Sequence, residues 1–161
     1  MSSAIQTTPN KFAASAHDRL ATYLAARQSA RQPEIVALTP DASTREYFRI
    51  PWERGTAIAA VYPDPFDPEV HPYLDVTKLF LECSLPVPKV FDVDGAAGII
   101  VQEDLGDRQL CRVFETAGDE ECETLLEQAI EIIARIQAAT PKAFERQSIA
   151  SRLAFDEAKL A

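Results

Sequence analysis

The sequence is short of positive charge, glycine, histidine and paired cysteine, and each shortage narrows what the chain can do. Only 16 lysines and arginines face 25 aspartates and glutamates, a formal net charge of −9 with a pI near 4.7. Nucleic acid and anionic membrane surfaces are held through clustered Lys and Arg, so the balance argues against both as partners. The acidity fits a soluble protein and does not by itself name a cationic substrate. Cys83, Cys111 and Cys122 are scattered without C-x-x-C spacing. That pattern argues against a disulfide framework or a zinc site and reads as free thiols in a reducing compartment. His17 and His71 stand alone, without the spacing of a metal or nucleophile site. The start, Met-Ser-Ser-Ala-Ile-Gln-Thr-Thr-Pro, has neither the basic end nor the apolar core of a signal peptide. No stretch approaches the roughly 20 apolar residues that span a bilayer. The expected location is the cytoplasm.

What the chain does have is apolar residues, 47% of its 161, enough to bury a core of one domain or of one lobe plus part of another. Residues 1–10 read as a disordered polar tail. Helical spacing then runs from Phe12 to about Gln28, with Leu20, Tyr23 and Leu24 among its apolar positions, and Pro33 ends it. Strands are expected over 34–39, 45–50 and 56–62, the last two joined by a turn at Trp52-Glu-Arg-Gly55. Pro63, Pro65, Pro68 and Pro72 enforce an irregular loop. A helix over about 68–84, with Tyr73, Val76, Leu79, Phe80 and Cys83 on one stripe, is expected to pack on the sheet. Strands at 89–94 and 98–102 follow, turning at Asp94-Gly95. Beyond Gly106 the chain turns helical, with Leu125, Leu126, Ala129, Ile132, Ile133 and Ile136 on one face, a break at Thr140-Pro141, and a further helix from Ser148. The fold class is therefore α+β: a five-stranded antiparallel sheet with one packed helix, followed by helices.

Three groups of residues could carry chemistry. Asp41-Ala-Ser-Thr44 lies in a strand-to-strand turn, where small residues let backbone N–H groups approach an anion and the hydroxyls of Ser43 and Thr44 add donors. The same residues also make an ordinary Asp/Ser turn. Arg45, Tyr47 and Arg49 share one strand face; the two arginines are either solvated surface charges or cationic contacts to phosphate or to an acidic partner. Val101-Gln-Glu-Asp-Leu-Gly106 leaves an apolar strand for an acidic turn. Such a segment can offer a purine one backbone C=O and one N–H, or be a plain strand end before a glycine turn. The strand from Thr56 to Tyr62 holds no lysine.

Asp41-Ala-Ser-x-Arg-x-Tyr-Phe-Arg49, Leu85-Pro-Val-Pro-Lys-Val90, Asp104-Leu-Gly106 and the late Phe155-Asp-Glu-x-x-Leu160 together resemble the aminoglycoside phosphotransferase and choline kinase superfamily. The branch they look closest to is that of bacterial anomeric kinases of N-acetylmuramate and N-acetylglucosamine. The resemblance runs from about Glu34 to Ala161. It implies a protein-kinase-like amino-terminal lobe over 11–106 and the start of a helical carboxy-terminal lobe over 107–161. It further implies ATP and Mg²⁺ as cofactors and transfer of the γ-phosphoryl group to a small-molecule hydroxyl, a sugar or amino sugar. Ala42, Ser43 and Thr44 would then cover phosphate, Gln102, Glu103, Asp104 and Leu105 would form the adenine hinge, and Arg45 and Arg49 match the branch's arginines. The family's lysine strand is unmatched. Its His-x-Asp loop with a following asparagine, and its later metal-binding aspartate, have no counterpart here, so no catalytic or metal-ligating residue is assigned. The leading expectation is the front part of a kinase, inactive by itself. A non-catalytic pseudokinase-like module, or a kinase of the same fold for choline, homoserine or an aminoglycoside, are the alternatives.

Overall fold

A computed structural model describes residues 14–27, 33–39 and 44–152. These form α1 (Ala16–Arg27), β1 (Val36–Ala37), β2 (Glu46–Trp52), β3 (Gly55–Val61), α2 (Pro72–Glu82), β4 (Val90–Asp94), β5 (Ile99–Glu103), α3 (Leu110–Phe114), α4 (Asp119–Ala138) and α5 (Thr140–Glu145). Short 3-10 turns occupy Pro68–Val70 and Ile149–Arg152. Two compact units divide the chain, Met1–Pro68 with Lys89–Asp104, and Glu69–Pro88 with Leu105–Ala161. The expected tail 1–10, the loop residues Ala42 and Ser43, and the segment Phe155-Asp-Glu-x-x-Leu160 lie outside the described residues.

The first unit is a five-stranded antiparallel sheet in the order β1-β2-β3-β5-β4. The α+β class and all five expected strands are present, although β1 is only Val36–Ala37, shorter than 34–39. Alternation sets the faces: Phe48 and Ile50 of β2 are buried, whereas Tyr47 and Arg49 are half-buried on the other side. The β2–β3 hairpin closes where expected, Trp52 pairing with Gly55, and Glu53 adopts φ 50 as primed turns require.

Helix α1 covers the sheet. Ser15 caps it: the Asp18 N–H donates to Ser15 Oγ at 3.1 Å, and that hydroxyl donates to the Asp18 carboxylate at 2.8 Å. Ala16, Leu20, Tyr23 and Leu24 form one core with Phe48, Ile50, Ala57, Ala59, Val61, Ile99 and Val101. Leu20 and Leu24 are fully buried, each contributing roughly 2 kcal/mol by removal of apolar surface from water. The alanines of β3 leave room for those leucines. Within this unit the packed helix is thus α1. The helix expected over 68–84 forms as α2 but belongs to the second unit. Which apolar stripe fills this core is decided by nonlocal contacts, and here it is that of α1.

Two polar anchors fasten α1. Arg19, buried, donates from Nη1 to Ala97 O at 2.6 Å and from Nη2 to Tyr62 O at 2.8 Å. It joins the helix to the end of β3 and the β4–β5 turn. Farther along, Tyr23 OH donates to Asp92 Oδ2 at 2.5 Å, Arg27 meets the same carboxylate at 2.6 Å, and its guanidinium lies 3.9 Å over the Tyr23 ring.

In the second unit the scarcity of glycine has a structural cost. Helix α2 ends with Ser84 at φ 54, its N–H donating to Leu81 O, and Leu85 N–H donating to Phe80 O. Helix α5 ends likewise, with Gln147 at φ 53, Gln147 N–H to Phe144 O and Ser148 N–H to Ala143 O. Both are Schellman closures whose left-handed residue is not glycine. Replacing Ser84 or Gln147 by glycine is expected to raise stability by about 0.5–1 kcal/mol each, read as a higher midpoint of urea unfolding. Thr140-Pro141, expected as a break, does follow the end of α4 but opens α5, because proline is tolerated in a first helical turn.

Asp75 of α2 ties these helices together. Its Oδ2 accepts Ser148 Oγ–H at 2.5 Å and Ile149 N–H at 2.8 Å, and Arg146 lies 3.3 Å from Oδ1 while also reaching Glu82 at 2.5 Å. Burial pushes the Asp75 carboxyl up, but the bonds from Ser148, Ile149 and Arg146 outweigh it and hold it below its ordinary value. Asp92 behaves the same way: burial raises it, and Tyr23, Val93 N–H and Arg27 together bring it down. A depressed carboxyl lends stability that is complete above its unfolded pKa of about 4 and is lost as pH falls through the lower folded value. Stability should therefore drop below about pH 4, and Asp75→Asn with Asp92→Asn should flatten that drop. An unchanged acid limb in the double variant would show that these carboxyls are not its source.

Candidate functional site

The sheet face opposite α1 is where the sequence-identified residues meet. Arg49 of β2 pairs with Ile58 of β3, which pairs with Gln102 of β5; Tyr47, Ala60 and Ile100 form the next row. Thr56, Ile58 and Ala60 are therefore the β3 residues on this face, and its cations come from β2.

Arg49 does meet an acidic partner, one within this chain. Its Nε donates to Asp104 Oδ2 at 2.7 Å and its Nη2 to Oδ1 at 3.1 Å, a two-point fork. Thr56 Oγ1 donates to the same Oδ2 at 2.7 Å. The Asp104 side chain is 8% exposed and that of Arg49 25%. Glu103, one residue earlier, points to the other face, where its Oε2 accepts Lys89 N–H at 3.1 Å while its own N–H donates to Lys89 O at 2.8 Å. The end of β5 is thus fastened on both sides by consecutive carboxylates.

At the other end of β2, Arg45 donates from Nη1 to Tyr62 OH at 3.3 Å, and its guanidinium lies 5.7 Å over the Tyr47 ring and 5.5 Å over the Tyr62 ring. Tyr62 in turn meets Phe66 edge-on at 5.1 Å. Burial raises the Tyr62 phenol above its ordinary range although Arg45 pulls it back. Thr44 is exposed just before β2. Gln102 is half-buried on β5, and Leu105 is 69% exposed, its backbone N–H taking no partner among the described residues.

Of the residues singled out in the sequence, the structure brings Arg49, Gln102 and Asp104 to one face of the sheet, with Arg45 and Thr44 at its other end. It keeps the Glu103 side chain on the opposite face. Thr56, Tyr62 and Arg19 were missed. Strand parity could have supplied Thr56, which shares a face with Asp104; Arg19 leaves no local signal, its partner Ala97 being 78 positions away. Among the described residues no three His, Cys, Asp or Glu side chains converge to hold a metal ion. No described helix is long and apolar enough to cross a membrane.

Comparison with known proteins completes the picture. The chain is 31% identical over 111 residues to the N-acetylmuramate/N-acetylglucosamine kinase of Neisseria meningitidis serogroup B. The matched part covers 68% of this chain and 33% of that kinase, so the chain spans about a third of the length of the curated relative it matches. No solved structure matches it. Residues 34–161 match the model of the phosphotransferase enzyme family, and with the five-stranded sheet in place the chain belongs to that family.

Proposed function

We propose that this chain is the nucleotide-binding part of an ATP-dependent small-molecule kinase whose acceptor is a sugar or amino-sugar hydroxyl. The observation that carries the reading is the sheet face on which Arg45, Arg49, Gln102 and Asp104 gather, in a chain of this family. The acceptor class is supported by the likeness to a kinase named for two amino sugars.

In this reading the backbone of Gln102, Glu103, Asp104 and Leu105 receives the adenine. Glu103 N–H is committed to Lys89, and the N–H of Leu105 takes no partner among the described residues, so Leu105 is the donor assigned to the purine in this reading. Ala42, Ser43 and Thr44 cover the phosphates. Arg45, steadied between two tyrosine rings, supplies positive charge near them without the lysine that β3 lacks. When bound, ATP supplies the phosphoryl group and Mg²⁺ neutralises its charge; the metal's ligands are not assigned to the described residues. The chain's own contribution is to bind and orient the nucleotide.

Transfer further needs a residue that positions the acceptor hydroxyl. The two histidines here, His17 and His71, are followed by Asp18 and by Pro72-Tyr73, so neither gives the His-x-Asp pattern. The chain alone is expected to move no label from γ-labelled ATP to N-acetylmuramate or N-acetylglucosamine. The complete gene product is expected to label one of those sugars. Label on choline or an aminoglycoside instead would overturn the acceptor class, and label on no acceptor would overturn the kinase reading.

A further inference from the structure

Arg49 is the residue on this face whose geometry departs most from a phosphate contact. An arginine that waits for phosphate presents its fork to the ligand. This one turns Nε and Nη2 onto a carboxylate that is itself 8% exposed, and that carboxylate also accepts from Thr56. The three side chains come from the end of β5, the middle of β2 and the start of β3, and so join three adjacent strands at the point where the chain leaves the sheet. On the opposite face Glu103 closes onto the backbone of Lys89 beside β4. Two consecutive acidic side chains thereby hold residues 103–104, and the N–H of Leu105, next in the chain, takes no partner among the described residues.

We propose that Arg49, with Thr56, is a positioning residue. Through Asp104 it presets the backbone after β5 for the hydrogen-bonding edge of a purine, and it does not touch phosphate. This rests on the nucleotide reading above. A preset backbone binds more tightly because its ordering is done before the ligand arrives, and a strand end that samples other conformations lowers affinity by the fraction of time spent away from the competent one. The loss should therefore fall on whatever carries the purine, irrespective of its phosphates.

Adenosine, ATP and inorganic triphosphate separate the two roles when titrated by calorimetry into the chain and its variants. Arg49→Ala and Asp104→Asn are each expected to weaken adenosine and ATP by the same factor, about 10-fold, leaving triphosphate binding unchanged. The double variant should lose little more than either single one, because both act on one contact. Thr56→Val, which keeps the ion pair, should weaken both purine ligands equally by about 3-fold; it carries the test if the charge variants do not fold. Arg49→Ala or Thr56→Val weakening ATP and triphosphate while sparing adenosine would overturn the inference and make Arg49 a phosphate ligand. Equal affinities in wild type and Thr56→Val, with fully additive charge variants, would overturn it as well. A wild-type chain that binds neither adenosine nor ATP would overturn the nucleotide reading itself, and this inference with it.

Discussion

Replacing Arg19 by methionine is expected to cost about 3 kcal/mol of stability. The side chain is buried and gives charged donors to two carbonyl oxygens, Ala97 O and Tyr62 O. Hydrogen bonds from a charged group contribute roughly 1.5–3 kcal/mol each, and both acceptors would be left without that donor in a place where methionine offers nothing. Burial disfavours the charge of Arg19 and lowers its pKa, but a guanidinium remains protonated, so the carbonyls and not a proton shift account for its energy. Arg19→Lys should recover only part of the loss, since one ammonium cannot reproduce the fork. Urea unfolding of the three proteins measures this, and a change under about 0.5 kcal/mol for the methionine variant would mean that the clamp is a surface contact.

Gly95→Ala is expected to destabilise by about 3 kcal/mol or more. A Cβ at Gly95 would stand 2.3 Å from Phe66 O and 2.9 Å from Pro68 Cδ, the first a backbone atom and the second part of a rigid ring. Neither can yield as the tip of a flexible side chain could. The same approach carries the bond from Phe66 N–H to Gly95 O at 2.9 Å, so moving the loop aside to admit a methyl group would also break that bond. Gly55→Ala is the control: nothing lies within 4 Å of its would-be Cβ, and its effect should stay within about 0.5 kcal/mol. Equal melting temperatures for the two variants would show that the loop from Tyr62 to Pro68 adapts freely.

Strand alternation made the sheet legible from sequence. Phe48 and Ile50 against Tyr47 and Arg49 fixed the two faces of β2, and Trp52-Glu-Arg-Gly55 and Asp94-Gly95 marked turns that form. The same parity carries much of the candidate site, because Arg49, Thr56, Gln102 and Asp104 fall on one face by counting in twos along three strands. What counting does not yield is the pairing. Arg49 and Asp104 are 55 positions apart, as distant in sequence as a surface charge from an unrelated turn, and nothing local distinguishes an arginine that waits for phosphate from one that holds a carboxylate. The covering of the sheet was hidden for a similar reason. Helix α1 has a modest apolar stripe padded with alanine, and its weight comes from the complementary alanines of β3. The end of α2 falls close to the expected 84, whereas that of α5 was obscured by composition, since Gln147 stands where glycine would have signalled a stop.

Amide resonances of the ¹⁵N-labelled protein, followed while ATP is added, report residue by residue where a nucleotide meets this chain. Shifts are expected at Thr44, Arg45, Tyr47 and Gln102 through Leu105, with α4 and α5 unmoved, and adenosine alone should reproduce the shifts at Gln102 through Leu105. Shifts confined to Leu110–Arg152, or none at millimolar ATP, would contradict the assignment of the sheet face as the nucleotide site.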